Sequence, residues 1–180
     1  MISITDKIQL QDIKIEDQSK LMTLLESIYP PAYEYLWKNK DCSFYLNKFY
    51  SLENLELELA DPNATYYFVT YNSDLAGIFR IIYNKSFEEF QKKKATYINR
   101  IYLAKTAQGK GVAQHLFNWV EQEAKEKGNT LLWLKAMDSK KQALRFYEKQ
   151  SYNYASPTHL DFPLMHTNLR GMQIMYKLLT

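Results

Sequence analysis

The sequence predicts an α+β fold: a mixed, mostly antiparallel sheet flanked by helices, with a parallel strand pair at its centre. Three observations carry this. Two runs rich in β-formers flank the polar turn Asn72-Ser73-Asp74, as hairpin arms do. Two strand–helix units follow each other at residues 96–128 and 131–150, and that order places their strands parallel. Two more strand-like runs close the chain at residues 152–158 and 173–179.

Taken in order, residues 8–15 alternate imperfectly through Ile8, Leu10, Ile13 and Ile15 and read as the first strand. Glu16 and Asp17 stand where acids favour a helix start, ahead of Leu21, Leu24, Leu25 and Ile28. Pro30-Pro31 ends that helix, since a proline disfavours helical geometry in the residue before it. Residues 33–50 are dense in aromatics: Tyr33, Tyr35, Trp37, Phe44, Tyr45, Phe49 and Tyr50. A second helix covers about residues 52–60 and stops near Asp61-Pro62. Strands at residues 65–71 and 75–83 precede a polar excursion over 84–94. Residues 97–103 are the next strand, and Val112, His115, Leu116, Trp119, Val120 and Ala124 then recur at helical spacing up to a stop at Gly128. A short apolar strand, 131–137, leads into a helix over 139–150.

A chain of 180 residues suits one domain over positions 1–180, and with five Gly and five Pro it has no linker-like segment. The net charge of +3, with no basic stripe beyond Lys92-Lys93-Lys94, argues against nucleic acid as a partner. A single cysteine, Cys42, excludes an internal disulfide and fits a reducing cytoplasm. No stretch approaches membrane-spanning length, so no membrane association is expected. Three scattered His and one Cys show no metal-ligand spacing.

The richest stretch is Gln108-Gly109-Lys110-Gly111-Val112-Ala113, between a strand and a helix. Glycines let backbone approach a ligand closely, and the first helical N–H groups have no partner within the helix. A phosphate there would satisfy those donors at the positive end of the helix dipole. A P-loop needs Ser or Thr after its lysine, but Gly111 and Val112 follow Lys110; a dinucleotide fingerprint needs a third glycine, but Gln114 stands in its place. The stretch instead resembles the Gln/Arg-x-x-Gly-x-Gly/Ala signature of the GNAT acetyltransferases, with Gln108, Gly111 and Ala113 in the signature places. Downstream, Ala143, Phe146, Tyr147 and Tyr152 match the family's Asn-x-x-Ala-x-x-Phe-Tyr-x-x-x-Gly-Phe segment, while Lys140 stands for its Asn and Ser151 for its Gly. A finer similarity, to the bacterial PaiA-type spermidine/spermine acetyltransferases, rests on Tyr45-Leu46 through Leu59, Phe68-Val69 with Ala76-Gly77, and Arg100-Ile101-Tyr102.

The resemblance implies the GNAT fold, with the parallel pair splayed to admit acetyl-CoA as cosubstrate. It implies that residues 108–113 hold the pyrophosphate and that backbone N–H groups of Ile101, Tyr102 and Leu103 meet the thioester. Lys140, Ala143 and Phe146 would line the cofactor path. Tyr147 is the expected general acid, because a phenol with a pKa of about 10 stays protonated at neutral pH. Asn99 stands where many relatives carry an acidic base, and Asn accepts no proton at useful pH. Glu34, Glu56, Glu58 and His166 are the candidate replacements, and Tyr33, Trp37 and Asn99 the expected acceptor contacts. His115 is expected to be packed, and Cys42 has no activating neighbour for a nucleophilic role. The implied activity is acetyl transfer to a primary amine of a small molecule, with a polyamine as the finer expectation. A peptide or protein N-acetyltransferase and a non-catalytic CoA-binding module remain open alternatives. A homodimer pairing through the C-terminal strand is compatible with the pattern.

Overall fold

The computed structural model describes residues 1–179. Its strands are β1 (Ile2–Ser3), β2 (Ile8–Asp12), β3 (Ala64–Tyr71), β4 (Asp74–Ile82), β5 (Ala95–Leu103), β6 (Leu131–Met137), β7 (Asn153–His159) and β8 (Gly171–Leu178). They form one sheet in the order β1-β2-β3-β4-β5-β6-β8-β7. β5 and β6 run parallel, and the other neighbouring pairs are antiparallel. The helices are α1 (Gln18–Ile28), α2 (Pro30–Tyr33), α3 (Ser43–Tyr50), α4 (Leu52–Leu59), α5 (Val112–Glu126) and α6 (Lys141–Lys149).

Strand periodicity divides the core in two. Phe68 and Ile78 point to the face covered by α1, α3 and α4, where Leu21, Leu25, Leu46 and Leu55 are buried. Their neighbours Val69 and Phe79 point to the face covered by α5 and α6, against Leu116, Val120 and Leu144. The β3–β4 hairpin turns at Asn72 and Ser73, both with positive φ (51° and 69°). That matches the two-residue turn whose twist suits flanking strands.

Several boundaries differ from expectation for physical reasons. The strand expected first, over residues 8–15, is β2 and ends at Asp12, with the short β1 ahead of it; Ile15 is exposed and opens a turn that leads into α1. Tyr29, which precedes Pro30, keeps helical geometry (φ −75°, ψ −49°), so the two prolines start the short α2 instead of leaving an extended residue before them. Pro is at home there because the first helical N–H groups need no partner. The aromatic stretch contains a helix, α3, whose buried Leu46 and Tyr50 lie four residues apart. Ser151 adopts a left-handed conformation (φ 65°). Its N–H donates to Glu148 O and that of Tyr152 to Tyr147 O, so the Gly-type helix stop is kept without the glycine. The C-terminal strand β8 is enclosed between β6 and β7, so it offers no edge for pairing across a dimer. No helix is long and apolar enough to cross a membrane among the described residues.

Candidate active site

The parallel pair holds together over four residues and then parts. β5 and β6 register from Ala95 with Leu131 to Ile98 with Leu134, yet β5 continues to Leu103 and β6 to Met137. A register shift in the β4–β5 ladder pairs Arg80 with Arg100 and Ile81 with Ile98, which leaves Asn99 as an extra residue. A bulge of this kind bends its strand and re-aims a side chain. The parted strands open onto a cavity of about 290 Å³.

Register decides which amides face the gap. Ala104 N–H donates to Ala76 O. In an antiparallel ladder, pairs that exchange hydrogen bonds alternate with pairs that do not. Arg100 and Tyr102 therefore turn their N–H and C=O groups toward β4, and Ile101 and Leu103 turn theirs toward the gap. A Cβ built on Gly77 would overlap the Tyr102 carbonyl, consistent with that carbonyl facing β4. Tyr102 thus reaches the cavity by its ring, not its amide.

The turn before α5 supplies a second set of free donors. Among the described residues, no N–H from positions 109–114 donates a hydrogen bond within the chain. Gly109 and Gly111 sit at φ 70° and 77°, a region that disfavours other residues. Gln108 Nε2 donates to Leu103 O (2.9 Å), tying the turn to the end of β5. Val112 is buried under the turn, while Lys110 is exposed. Free donors at a helix N-terminus, next to a gap edged with unpaired amides, fit a phosphate-bearing thioester.

On the α5–α6 face, Ala143 and Tyr147 line the cavity. Burial pushes the Tyr147 phenol up to about 12. Its hydroxyl makes no hydrogen bond among the described residues, so it is not held as a structural donor. On the other face Tyr29, Tyr33, Tyr45, Phe49, Tyr102 and Phe162 form an aromatic wall. Tyr29 stacks on Tyr33 and on Tyr45 (centroids 4.8 and 4.6 Å), and Tyr45 Oη bonds Tyr102 Oη at 2.8 Å.

Lys140 lines the cavity with its ammonium engaged inside the chain. Its Nζ does not extend into solvent; it donates to Ala32 O and lies 4.5 Å from the Tyr33 ring centroid. Burial lowers its pKa. Nearby, Tyr35 Oη bonds Ser139 Oγ at 2.7 Å. Together the two contacts tie the α2 region to the start of α6.

A buried charge network, not foreseen from sequence, backs the bulge. Arg100 Nη1 donates to Glu58 Oε2 at 2.7 Å, Arg80 Nε lies 3.5 Å from the same oxygen, and Arg80 Nη1 donates to Asn99 Oδ1 at 2.8 Å. The sequence signal would have been two arginines on adjacent strands facing a carboxylate on an amphipathic helix.

Other expected residues lie elsewhere. Trp37 is buried in the core, donating Nε1 to Tyr29 Oη (3.2 Å), and is not a wall of the cavity. Phe146 packs edge-on against Phe117, 5.4 Å between centroids, and also stays out of the wall. Glu34 pairs with Lys40 (3.7 Å) and Glu56 is exposed. Glu58 is taken by two guanidiniums. His166 is exposed and off the cavity, and His115 is exposed where packing was expected. The buried Cys42 thiol is pushed up to about 11 by burial, the opposite of an activated nucleophile.

Comparison with known proteins bears on these features. An uncharacterized N-acetyltransferase in the pepI 3' region of Lactobacillus delbrueckii subsp. lactis is 28% identical over 108 residues. The match covers 60% of this chain and 62% of that protein's length. The PaiA N-acetyltransferase of Thermoplasma acidophilum, solved with coenzyme A, superposes with a TM-score of 0.71 at 18% identity, covering 95% of this chain and 98% of that one. The spermidine N-acetyltransferase of Vibrio cholerae, solved with CoA and spermine, gives 0.66 at 16% identity over 97% of each chain. Identities this low establish the shared fold. The acetyltransferase (GNAT) family model matches residues 21–152, a span that includes the parted strands, the glycine turn and Tyr147. The chain belongs to the GNAT acetyltransferase family, whose cosubstrate is acetyl-CoA.

Proposed function

We propose that the whole chain is one N-acetyltransferase domain that moves the acetyl group of acetyl-CoA to a primary amine of a small molecule, by direct attack within a ternary complex. The observation that carries this reading is the cavity at the β5–β6 gap, with unpaired amides at one edge and the donor-rich turn beside it. When bound, acetyl-CoA supplies an activated thioester. Residues 109–114 present N–H groups suited to its phosphates, and the Ile101 and Leu103 amides are turned to where a thioester oxygen would accept them. Tyr147 holds a proton on Oη for a departing thiolate, and its raised pKa keeps that proton in place throughout the neutral range. Holding amine and thioester together supplies much of the acceleration, so no covalent enzyme intermediate is invoked.

Among the described residues, no Asp or Glu lines the cavity. The amine must therefore shed its proton without a protein carboxylate, and Asn99, held by Arg80, does not replace one. The same lack removes the feature that would favour a polyamine. A cytoplasmic location fits the single cysteine. Any dimer formed by strand pairing would use an edge strand, β1 or β7, rather than β8.

The test is steady-state release of CoA thiol with a panel of primary amines, with the acetylated product identified by mass. Amine-dependent thiol release with a matching N-acetyl product is expected, and Gly111→Glu should abolish it by weakening acetyl-CoA binding. Tight acetyl-CoA binding by the parent with no transfer to any amine would favour a non-catalytic CoA-binding module.

A further inference from the structure

Resting on the reading above, we propose that the acceptor carries its own anionic group, a carboxylate, beside an apolar or aromatic body, and that Arg100 receives that carboxylate. The charge of the walls points this way. Arg100, Lys135 and Lys140 line the cavity, and among the described residues no carboxylate does. Glu58 reaches Arg100 from the α4 side, but it also faces Arg80, so two guanidiniums share one carboxylate and the cluster keeps a surplus positive charge.

Arg100 is placed for such a role. Its side chain is 8% exposed, it lies in the cavity wall, and it spends Nη1 on Glu58. The guanidinium rests 5.3 Å from the ring centroids of both Phe49 and Tyr50, which fixes its plane. A planar guanidinium with donors to spare binds a carboxylate in a defined orientation, more strongly than a neutral acceptor. Phosphate would also suit an arginine, but a cavity of about 290 Å³ that must also admit an acetyl group favours the smaller anion.

Aromatic walls can instead recognise an ammonium group through their ring faces. Here the Tyr33 part of that wall is already occupied. The Lys140 ammonium already lies 4.5 Å from the Tyr33 ring centroid and 5.2 Å from that of Tyr35. A second fixed cation would meet its repulsion, so spermidine is a poor fit. An amine whose charge is balanced by its own carboxylate is not.

The experiment compares L-phenylalanine, 2-phenylethylamine and spermidine as acceptors for the full chain with acetyl-CoA, and titrates 3-phenylpropionate, which has no amine, by calorimetry in the presence of CoA. A hydrogen-bonded charged group is worth roughly 10–100-fold. The proposal expects kcat/KM for L-phenylalanine to exceed that for 2-phenylethylamine and for spermidine by about this factor. It also expects 3-phenylpropionate to bind, and Arg100→Gln to erase both effects without weakening acetyl-CoA binding. Arg100→Lys, which keeps the charge and loses the fork, should fall between. Should Arg100→Gln fail to fold, the parent's acceptor preference and its affinity for 3-phenylpropionate decide the matter. Preference for 2-phenylethylamine or spermidine, with no binding of 3-phenylpropionate, overturns the carboxylate subsite and leaves amine acetylation standing. Arg100-dependent binding of 3-phenylpropionate without transfer to any amine supports the subsite and overturns the proposed reaction instead.

Discussion

The cavity joins two regions built from different materials. On the α5–α6 side the groups proposed to meet the cofactor are largely main chain: the amides of Ile101 and Leu103 and the free N–H groups of residues 109–114. On the α1–α4 side they are side chains, with stacked tyrosines and the Arg100 guanidinium. Backbone donors depend on φ/ψ and register, and most sequences that keep the glycines and the strand can supply them. Side-chain walls change with every substitution. The first region is suited to a ligand shared across many proteins, and the second is where the proposed acceptor preference would be set.

Tyr147 sits where the two regions meet, and it offers the largest expected effect. Tyr147→Phe removes one hydroxyl that bonds no other group among the described residues and leaves the ring packed near Phe117. Turnover should fall by about 10²–10⁴-fold, the usual weight of a general acid, with little change in acetyl-CoA affinity. Single-turnover kinetics beside calorimetry separates these quantities. A turnover within twofold of the parent, with chemistry rate-limiting, would return Tyr147 to a packing role.

The missing carboxylate sharpens the contrast next. With no acid on the wall among the described residues, rate should follow the amine's own neutral fraction. A primary amine with a pKa of about 10.4 gains about tenfold in that fraction per pH unit. Tyr147, raised to about 12, stays protonated across the same window, so the acid is not lost as the amine becomes reactive. The profile of kcat/KM should climb from pH 7 to 9 without a plateau. A flat profile above pH 7, with chemistry rate-limiting, would mean that some group on the acceptor side removes the proton.

The smallest effect concerns the α6 stop. Ser151 holds a left-handed conformation that glycine adopts freely. Ser151→Gly should stabilise the fold by about 1 kcal/mol, the cost of that conformation for an L-residue. Chemical denaturation would read it, and a loss of stability would show that the serine side chain contributes something the backbone account omits.

The same division explains what could be read in advance. Strand alternation, the helix stop at Gly128 and the glycine turn are local patterns, and they made the sheet and α5 legible. The acceptor side depends on contacts between residues far apart in the chain. Nothing near Trp37 says that its ring is sealed in the core behind Tyr29, and nothing near Glu58 says that Arg80 and Arg100 will claim it. Lys140 could be seen to replace an Asn, but its reach to Ala32 requires α2 to be in place. Tyr102 shows the limit within a strand: the family resemblance grouped its amide with those of Ile101 and Leu103, and the hydrogen-bonding parity of the ladder turns it toward β4 instead.

That parity, together with the free turn, is the central claim, and amide chemical shifts test it most directly. In a ¹⁵N–¹H spectrum titrated with acetyl-CoA, the account predicts large perturbations at residues 109–114 and at Ile101 and Leu103, with Arg100 and Tyr102 moving less. Perturbations centred elsewhere, with those amides unmoved at saturation, would contradict it.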